Sequence, residues 1–325
     1  MIMPDLPYSL QTIETNGLRL RTVVEGTGPL VIMVHGWPEL WYSWRHQIQP
    51  IADAGYRVVA PDMRGYGGSD KPHTVEAYDM ASLMADIVGI IDAFDAPSAI
   101  LIGHDWGAPI CWNTAAMYPE RVSAIAALSV RYPKRGPTST IDLWRRLYAD
   151  RFFYQLYFEN EGVAEAELEA DIALSLRKIY FALSGNAPAA DYWLDRPADG
   201  GLLGPLIDPK PFPAWLSTDD LDYYTANFSA GGFRGPINRY RNQDRDFEML
   251  PDMATGPILQ PSCFIAGSRD PVRYFVPGRD LYEDVGRHCA DLRFTRIIEG
   301  AGHWVQQEAP GDVTTALLEF LSSLG

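Results

Sequence analysis

Short runs of apolar and β-branched residues recur along this chain, with helix-like stretches between them. Residues 30–34 and 56–60 are two such runs, and residues 43–54 between them are helix-like. Further runs lie at residues 98–102, 122–130, 261–266 and 292–298. Apolar runs of this length that alternate with helices are typical of buried parallel strands joined by right-handed crossovers. The pattern therefore predicts an α/β fold with a mostly parallel sheet flanked by helices.

This alternation lapses between residues 132 and 253. Helix-like patterns at residues 141–158, 164–183 and 218–227 occur there with clustered aromatic residues and loops rich in proline and glycine. Helices inserted into an α/β pattern indicate a helical lid, which we call the cap. We therefore predict three segments: a first part of the core at 1–131, the cap at 132–253, and a second part of the core at 254–325.

The composition of the chain argues against disulfide-rich, membrane-spanning and nucleic-acid-binding proteins. The 325 residues are 47% apolar, which is enough for a substantial core. The three cysteines are widely spaced and form no Cys-x-x-Cys motif, so neither a disulfide framework nor a cysteine-rich metal site is indicated. We find no secretory signal pattern and no apolar stretch of the ~18 residues that a membrane helix needs. A net charge of −15 opposes nucleic-acid binding, and we expect a cytoplasmic protein with no membrane span.

The segment 103–107, Gly-His-Asp-Trp-Gly, lies between an apolar run and a helix-like stretch at residues 108–118. This strand, turn and helix pattern resembles a nucleophile elbow, in which small flanking residues permit a strained turn that lifts one side chain above the sheet. The lifted side chain is the carboxylate of Asp105. A carboxylate suits displacement at a saturated carbon, whereas a serine suits attack on acyl carbon. The resulting Asp105 ester would need a general base and an oxyanion hole for its hydrolysis.

Residues after other predicted strands could supply both. His303 follows the last apolar run and Asp270 follows the one before it, so both should lie at the same sheet edge as Asp105. His303 is the candidate base, and Asp270 would accept the other imidazole proton. We assign the oxyanion hole to the backbone N–H groups of Trp37 and Trp106. The chain order of nucleophile, acid and histidine is that of α/β-hydrolases.

Five motifs together resemble the epoxide hydrolases of the α/β-hydrolase fold, specifically the soluble type, and the resemblance spans nearly the whole chain. They are His35-Gly36-Trp37-Pro38-Glu39, Asp62-Met63-Arg64-Gly65-Tyr66-Gly67, Gly103-His104-Asp105-Trp106-Gly107, Gly267-Ser268-Arg269-Asp270 and Gly302-His303-Trp304. The resemblance implies hydrolysis of an epoxide to a vicinal diol through an ester on Asp105, with no cofactor and no metal. It also implies a bacterial-like form, and we expect no N-terminal phosphatase-like domain.

Segments of the cap resemble the parts of that family that carry its paired acid tyrosines. These segments are residues 154–158, 162–168 and 232–242. The resemblance maps the two acids to Tyr154 and Tyr240, with Tyr157 as the alternative to Tyr154. A phenol with a pKa near 10 is protonated at neutral pH and can donate to the leaving alkoxide. Tyr154 and Tyr240 are accordingly expected to bind the substrate together with Trp37 and Trp106.

Two other functions remain as alternatives. A haloalkane dehalogenase has a similar fold and an Asp nucleophile, but its halide leaving group needs N–H donors and no proton donor. That family commonly has Asn where this chain has Trp37. A non-catalytic ligand-binding protein on this scaffold is the second alternative, although a broken triad would be its expected sign.

We expect a small apolar or aromatic epoxide as substrate and a homodimer as the candidate assembly. The cap aromatics that suggest an apolar pocket, or equally a cap core, are Trp144, Phe152, Phe153, Trp193, Trp215 and Phe228.

Overall fold

An eight-stranded sheet forms the centre of the computed structural model, which describes residues 8–188 and 193–325. The strands are β1 (Leu10–Thr15), β2 (Leu18–Glu25), β3 (Leu30–Val34), β4 (Arg57–Pro61), β5 (Ala99–His104), β6 (Val122–Leu128), β7 (Ile258–Gly267) and β8 (Cys289–Ile298). Their order in the sheet is β1-β2-β4-β3-β5-β6-β7-β8. β2 is antiparallel to both of its neighbours, and the remaining neighbouring pairs are parallel. The predicted α/β class with a mostly parallel sheet is confirmed.

The central strands are apolar along their whole length because helices cover both faces of the sheet. In the middle of the sheet, Ile32 pairs with Val59 on one side and with Leu101 on the other, and all three are fully buried. The covering helices are α1 (Ile48–Asp53), α2 (Met80–Ala93), α3 (Gly107–Met117) and, after the short α11 (Val305–Glu308), α12 (Pro310–Ser322). Strands buried on both faces lose the alternating pattern of half-exposed strands, which explains why these strands appear as continuous apolar runs.

Between β6 and β7, the described residues form a series of helices. They are α4 (Thr140–Leu147), α5 (Tyr154–Tyr157), α6 (Val163–Glu169), α7 (Ile172–Leu183), α8 (Thr218–Gly231), α9 (Arg234–Asn238) and α10 (Gln243–Met249). All seven lie inside the segment 132–253, whose exact boundaries as a cap stay a prediction. Throughout the described part of the chain, each helix is too short or too polar to cross a membrane.

Two helices that the periodicity predicts as continuous are interrupted. The stretch 141–158 leaves the helical path after α4 and re-enters a helix only at α5; between the two, the Phe152 N–H donates to the carbonyl of Arg196. The stretch 164–183 breaks between α6 and α7, where the Asp171 carboxylate accepts the N–H of Leu174 and caps a new helix. The sequence pattern also does not predict β1, β2 or α2. These breaks depend on local capping and on partners distant in sequence, which periodicity does not register.

The turn between β5 and α3 has the geometry of the predicted elbow. Asp105 has a φ of +50°, in the left-handed region that residues other than glycine seldom adopt. A Cβ atom on Gly103 would lie 2.4 Å from the Gly107 carbonyl oxygen, and one on Gly107 would lie 2.0 Å from the Val34 carbonyl oxygen. Both glycines are therefore required for α3 to begin this close to β3 and β5.

We expect Gly107→Ala to lower the free energy of unfolding by roughly 2–4 kcal/mol, because the added methyl group meets backbone atoms that cannot move independently. Gly311→Ala is the matched control, since a Cβ at Gly311 would meet no atom within 4 Å. That variant should be neutral or slightly stabilised because alanine favours a helix. Urea denaturation followed by circular dichroism measures both changes. Equal stability of the two variants would contradict the steric requirement at the elbow.

Candidate active site

The carboxyl ends of β5, β7 and β8 bring the three predicted triad residues together. The Nε2 atom of His303 lies 3.4 Å from Oδ2 of Asp105, and its Nδ1 atom lies 3.2 Å from Oδ1 of Asp270. All three side chains are buried. Parallel strands end at a common edge of the sheet, so loops that are far apart in sequence meet there. The imidazole is consequently held between two carboxylates.

The position of His303 between these carboxylates determines its protonation state. Burial alone would lower its pKa, but Asp270 and Asp105 outweigh burial and raise the pKa to about 10. The imidazole is therefore a cation in the resting site at neutral pH, and a cation cannot act as a base. Esterification of Asp105 would remove one of the two negative charges. The pKa of His303 would then fall, and His303 would become able to accept a proton when a base is needed.

Asp270 is surrounded by donors that the sequence analysis missed. Its Oδ2 atom accepts hydrogen bonds from the hydroxyl of Ser129 at 2.6 Å and from that of Tyr282 at 2.9 Å, while Oδ1 accepts the Val272 N–H at 2.9 Å. Burial would raise the pKa of Asp270, but His303, Ser129 and the Val272 N–H together hold it below its ordinary value. Ser129 directly follows β6, so its position at the catalytic edge is a signal that sequence reasoning could have used. Tyr282 lies in an irregular loop that offers no such signal.

The loop after β3 places a backbone donor against the nucleophile. The N–H of Trp37 donates to Oδ1 of Asp105 at 2.7 Å. A Cβ atom at Gly36 would lie 2.3 Å from the same oxygen, so this position has no room for a larger residue. Oδ1 thus faces the backbone donor of this loop, while Oδ2 faces His303. The second oxyanion donor, the backbone N–H of Trp106, stays a prediction.

Tyr154 and Tyr240 lie above Asp105 on the side of the cap. Both line the pocket that contains Asp105 and His303, and the centroids of the two phenol rings are 5.6 Å apart. Burial, reinforced by the negative charge of Asp105, raises the pKa of both phenols above their ordinary value, so both stay protonated. The Tyr154 hydroxyl accepts a hydrogen bond from Nε2 of Gln155 at 3.0 Å, which leaves its own proton to donate.

The alternative tyrosine has a different environment. The hydroxyl of Tyr157 donates to the carboxylate of Glu167 at 2.7 Å.

Apolar side chains form the other walls of the pocket around Asp105, namely Trp37, Leu183, Trp193, Val272 and Phe275. Of the cap aromatics expected in a pocket or a cap core, Trp193 lines this pocket and Trp144 lines an adjoining cleft. Phe152, Phe153 and Phe228 are buried, and Trp215 is partly buried.

A buried hydrogen-bond chain lies behind the nucleophile. The Nδ1 atom of His104 is 2.7 Å from the carboxylate of Glu39, and its Nε2 atom is 2.7 Å from the carbonyl oxygen of His303. The other oxygen of Glu39 accepts hydrogen bonds from the side-chain amides of Gln306 and Gln307. His104 therefore points away from the Asp105 carboxylate and links the loop after β3 to the loop of His303.

One further carboxylate, Glu308, attaches the cap to the loop of His303. Its Oε2 atom accepts the N–H of Gly185, which follows α7, at 2.7 Å and the N–H of Gly302 at 3.0 Å. Its Oε1 atom accepts the N–H of Trp304 at 3.0 Å. Burial raises the pKa of Glu308 to about 7, although these three donors oppose the rise. Sequence reasoning missed this residue, since an acid near a helix N-terminus ordinarily indicates only a cap.

Comparisons with known proteins agree on one family. A family model described as alpha/beta hydrolase fold matches residues 29–310. Epoxide hydrolase A of Mycobacterium tuberculosis is 46% identical over 316 residues, which cover 96% of this chain and 97% of that protein. Epoxide hydrolase 2 of Siraitia grosvenorii is 35% identical, with 95% and 97% covered. The crystal structure of epoxide hydrolase A from Mycobacterium thermoresistibile superposes with a TM-score of 0.91 at 44% identity, with 97% and 98% covered.

The charge of Asp105 should control the pKa of His303. We expect Asp105→Asn, which keeps the side-chain shape but removes the charge as an ester would, to lower the pKa of His303 well below about 10. Imidazole ¹⁵N chemical shifts, followed by NMR as a function of pH, measure this value in both proteins. Asp284→Asn is the control, because it removes one negative charge outside the triad. An unchanged His303 pKa in Asp105→Asn would contradict the electrostatic link between the base and the nucleophile.

Proposed function

Because this chain belongs to the epoxide hydrolases of the α/β-hydrolase fold, we propose that Asp105 is the nucleophile with which it converts an epoxide and water to a vicinal diol. The observation that carries the proposal is the environment of this carboxylate. Two protonated phenols face it from the cap, and a histidine paired with a second carboxylate faces it from the sheet edge. Proton donors for a leaving oxygen and a base for ester hydrolysis thus surround one nucleophile.

Ring opening is the first step. Oδ2 of Asp105 attacks a ring carbon of the epoxide, the bond from that carbon to the ring oxygen breaks, and the oxygen keeps the electron pair. Tyr154 and Tyr240 hold this oxygen, and one of them transfers its proton to it. The product is a hydroxyalkyl ester of Asp105. A halide leaving group would need no such proton, so the paired phenols favour an epoxide over a haloalkane.

Ester hydrolysis is the second step. With the charge of Asp105 removed, His303 loses its proton to solvent and then takes a proton from a water molecule that attacks Cγ of Asp105. The backbone N–H groups of Trp37 and Trp106 stabilise the oxyanion that forms at Oδ1. Asp270 orients the imidazole and stabilises its positive charge. Collapse of the intermediate breaks the Cγ–Oδ2 bond, and His303 returns its proton to the departing oxygen, so the diol leaves with Oδ2 as its second oxygen and the water oxygen stays in the Asp105 carboxyl group. That carboxyl group gives its proton back to His303, and the tyrosine that donated its proton regains one from solvent.

The chemical class of the substrate, the cellular location and the assembly of the protein are part of the same proposal. The walls formed by Trp37, Trp193 and Phe275 support an apolar or aromatic group beside the epoxide. A cytoplasmic location is supported by the three cysteines, all of which are free thiols. The homodimer stays a prediction, which size-exclusion chromatography with light scattering would test.

Substitution of the two phenols tests the proposed function directly. Tyr154→Phe and Tyr240→Phe should each slow diol formation from an unactivated epoxide by about 10- to 100-fold, because one proton donor is lost and the other remains. The double variant should be nearly inactive. Tyr157→Phe is the matched control and should retain activity, since its hydroxyl pairs with Glu167.

Rates of alkylation in a single turnover, measured by rapid quench, separate this effect from changes in ester hydrolysis. Thermal melting checks that each variant folds. Full activity of Tyr154→Phe and Tyr240→Phe, or a large loss in Tyr157→Phe, would contradict the assignment of the acids. Release of halide from haloalkanes with no diol from any epoxide would contradict the proposed function itself.

A further inference from the structure

A cleft of about 740 Å³ opens beside the catalytic pocket. Asp105 and Tyr154 line both spaces, so the cleft leads directly to the reacting carboxylate. Apolar side chains, including Trp106, Trp144 and Phe275, line part of it. Its volume is in the range of pockets that hold whole ligands of drug size. A substrate with its epoxide at Asp105 would therefore extend its remaining part into this cleft.

The cleft is rich in cationic side chains, although the chain as a whole carries a net charge of −15. Besides Arg239, these lining residues are Arg131, Lys134, Arg135, Arg146, Arg279 and Arg287. The acidic lining residues are Asp105, Asp246 and Asp284, of which Asp246 pairs with Arg239 and Asp284 pairs with Arg287. The cleft lining is therefore positively charged on balance, in contrast to the rest of the protein.

Within the described residues, the side chains of Arg131 and Arg279 have no hydrogen-bond partner, whereas two other arginines of the cleft do. Arg135 donates to the carbonyls of Leu250 and Phe247, and Arg146 donates to the hydroxyl of Thr138. Within residues 8–188 and 193–325, by contrast, the guanidinium groups of Arg131 and Arg279 make neither a hydrogen bond nor an ion pair. They are free to bind a ligand.

Arg131, Arg279 and Arg287 form one group, which we call the arginine cluster. All three side chains line the cleft. Burial lowers the pKa of Arg131, and the positive charges of Arg279 and Arg287 lower it further while Asp284 opposes them, so both of these guanidinium groups lie within electrostatic reach of Arg131. Arg131 is partly buried and follows Ser129, the partner of Asp270, by two residues. Three cations with one carboxylate among them, Asp284, carry an excess positive charge that an anion would neutralise.

We propose that the arginine cluster is an anion subsite, and that the substrate is an epoxide with an oxyanion, a carboxylate or a phosphate ester, at the end remote from the ring. This inference rests on the proposed function and names its substrate class. Guanidinium groups bind carboxylates and phosphates through paired N–H donors. The apolar walls contact the middle of the substrate, and the arginine cluster holds its charged end. The cluster also attracts anions to a protein whose overall charge repels them.

A matched set of substrates tests the subsite. The set has one aryl-alkyl epoxide scaffold that ends in a carboxylate, a phosphate monoester or a primary amide. We expect kcat/KM of the wild-type protein to be at least about tenfold higher for an anionic member than for the amide, mainly through a lower KM. The preference should weaken as ionic strength rises. Comparison of the carboxylate with the phosphate ester identifies which oxyanion fits better.

Arg131→Gln should reduce this preference by roughly tenfold, through a higher KM for the anionic members. Arg296→Gln is the control, since it removes the same charge from an exposed side chain that pairs with Glu319. It should keep the wild-type preference. A wild-type protein with no preference for an anion, or an Arg131→Gln variant that retains the preference, would overturn the subsite. No diol from any member, the neutral amide included, would instead identify a failure of the proposed function.

Discussion

The contact between the Asp105 carboxylate and the His303 imidazole, 3.4 Å apart in a buried site, is the interaction on which the rest of the structure depends. In the proposed mechanism, Asp105 needs its negative charge for ring opening, and His303 needs its neutral form for ester hydrolysis. A buried carboxylate without an adjacent cation would be costly, and so would a buried imidazolium without its two carboxylates. Each group therefore stabilises the other in the resting site, and under the proposed mechanism alkylation of Asp105 would convert His303 to its neutral form.

The fold holds these two groups together through backbone geometry more than through side-chain packing. The elbow turn sets Asp105 at a φ of +50°, and the loop after β3 fixes one carboxylate oxygen through the Trp37 N–H. The cap is connected to both loops by α7. The hydroxyl of Tyr180 donates to the carbonyl of Pro38, and its own carbonyl accepts the indole N–H of Trp304. Tyr154 and Tyr240, the proposed acids, thus lie in a cap that is anchored to the loop of His303 and to the loop of Trp37.

The sheet and the site residues at the carboxyl ends of its strands can be predicted from the sequence for a physical reason. Asp105 and Asp270 follow continuous apolar runs, His303 follows the half-exposed edge strand β8, and the carboxyl ends of neighbouring parallel strands lie at one edge of the sheet. Tyr154 and Tyr240 are assigned only through family resemblance, because 17 tyrosines offer no periodic signal that separates donors from packing residues. Tyr282, Glu308 and the arginine cluster could not be predicted, since their contacts form between segments that are distant in sequence. The breaks within the cap helices depend likewise on caps and distant carbonyls.

One measurement tests whether Asp105 is alkylated and His303 acts only in ester hydrolysis. In His303→Gln, ring opening should proceed while the ester persists, because no base remains to activate water. Intact-protein mass spectrometry after incubation with excess epoxide should show a gain of one substrate mass. Peptide mapping should place that mass on Asp105, and Asp105→Ala should gain none. A folded His303→Gln protein that binds the epoxide but never gains mass, or gains it elsewhere, would contradict the account.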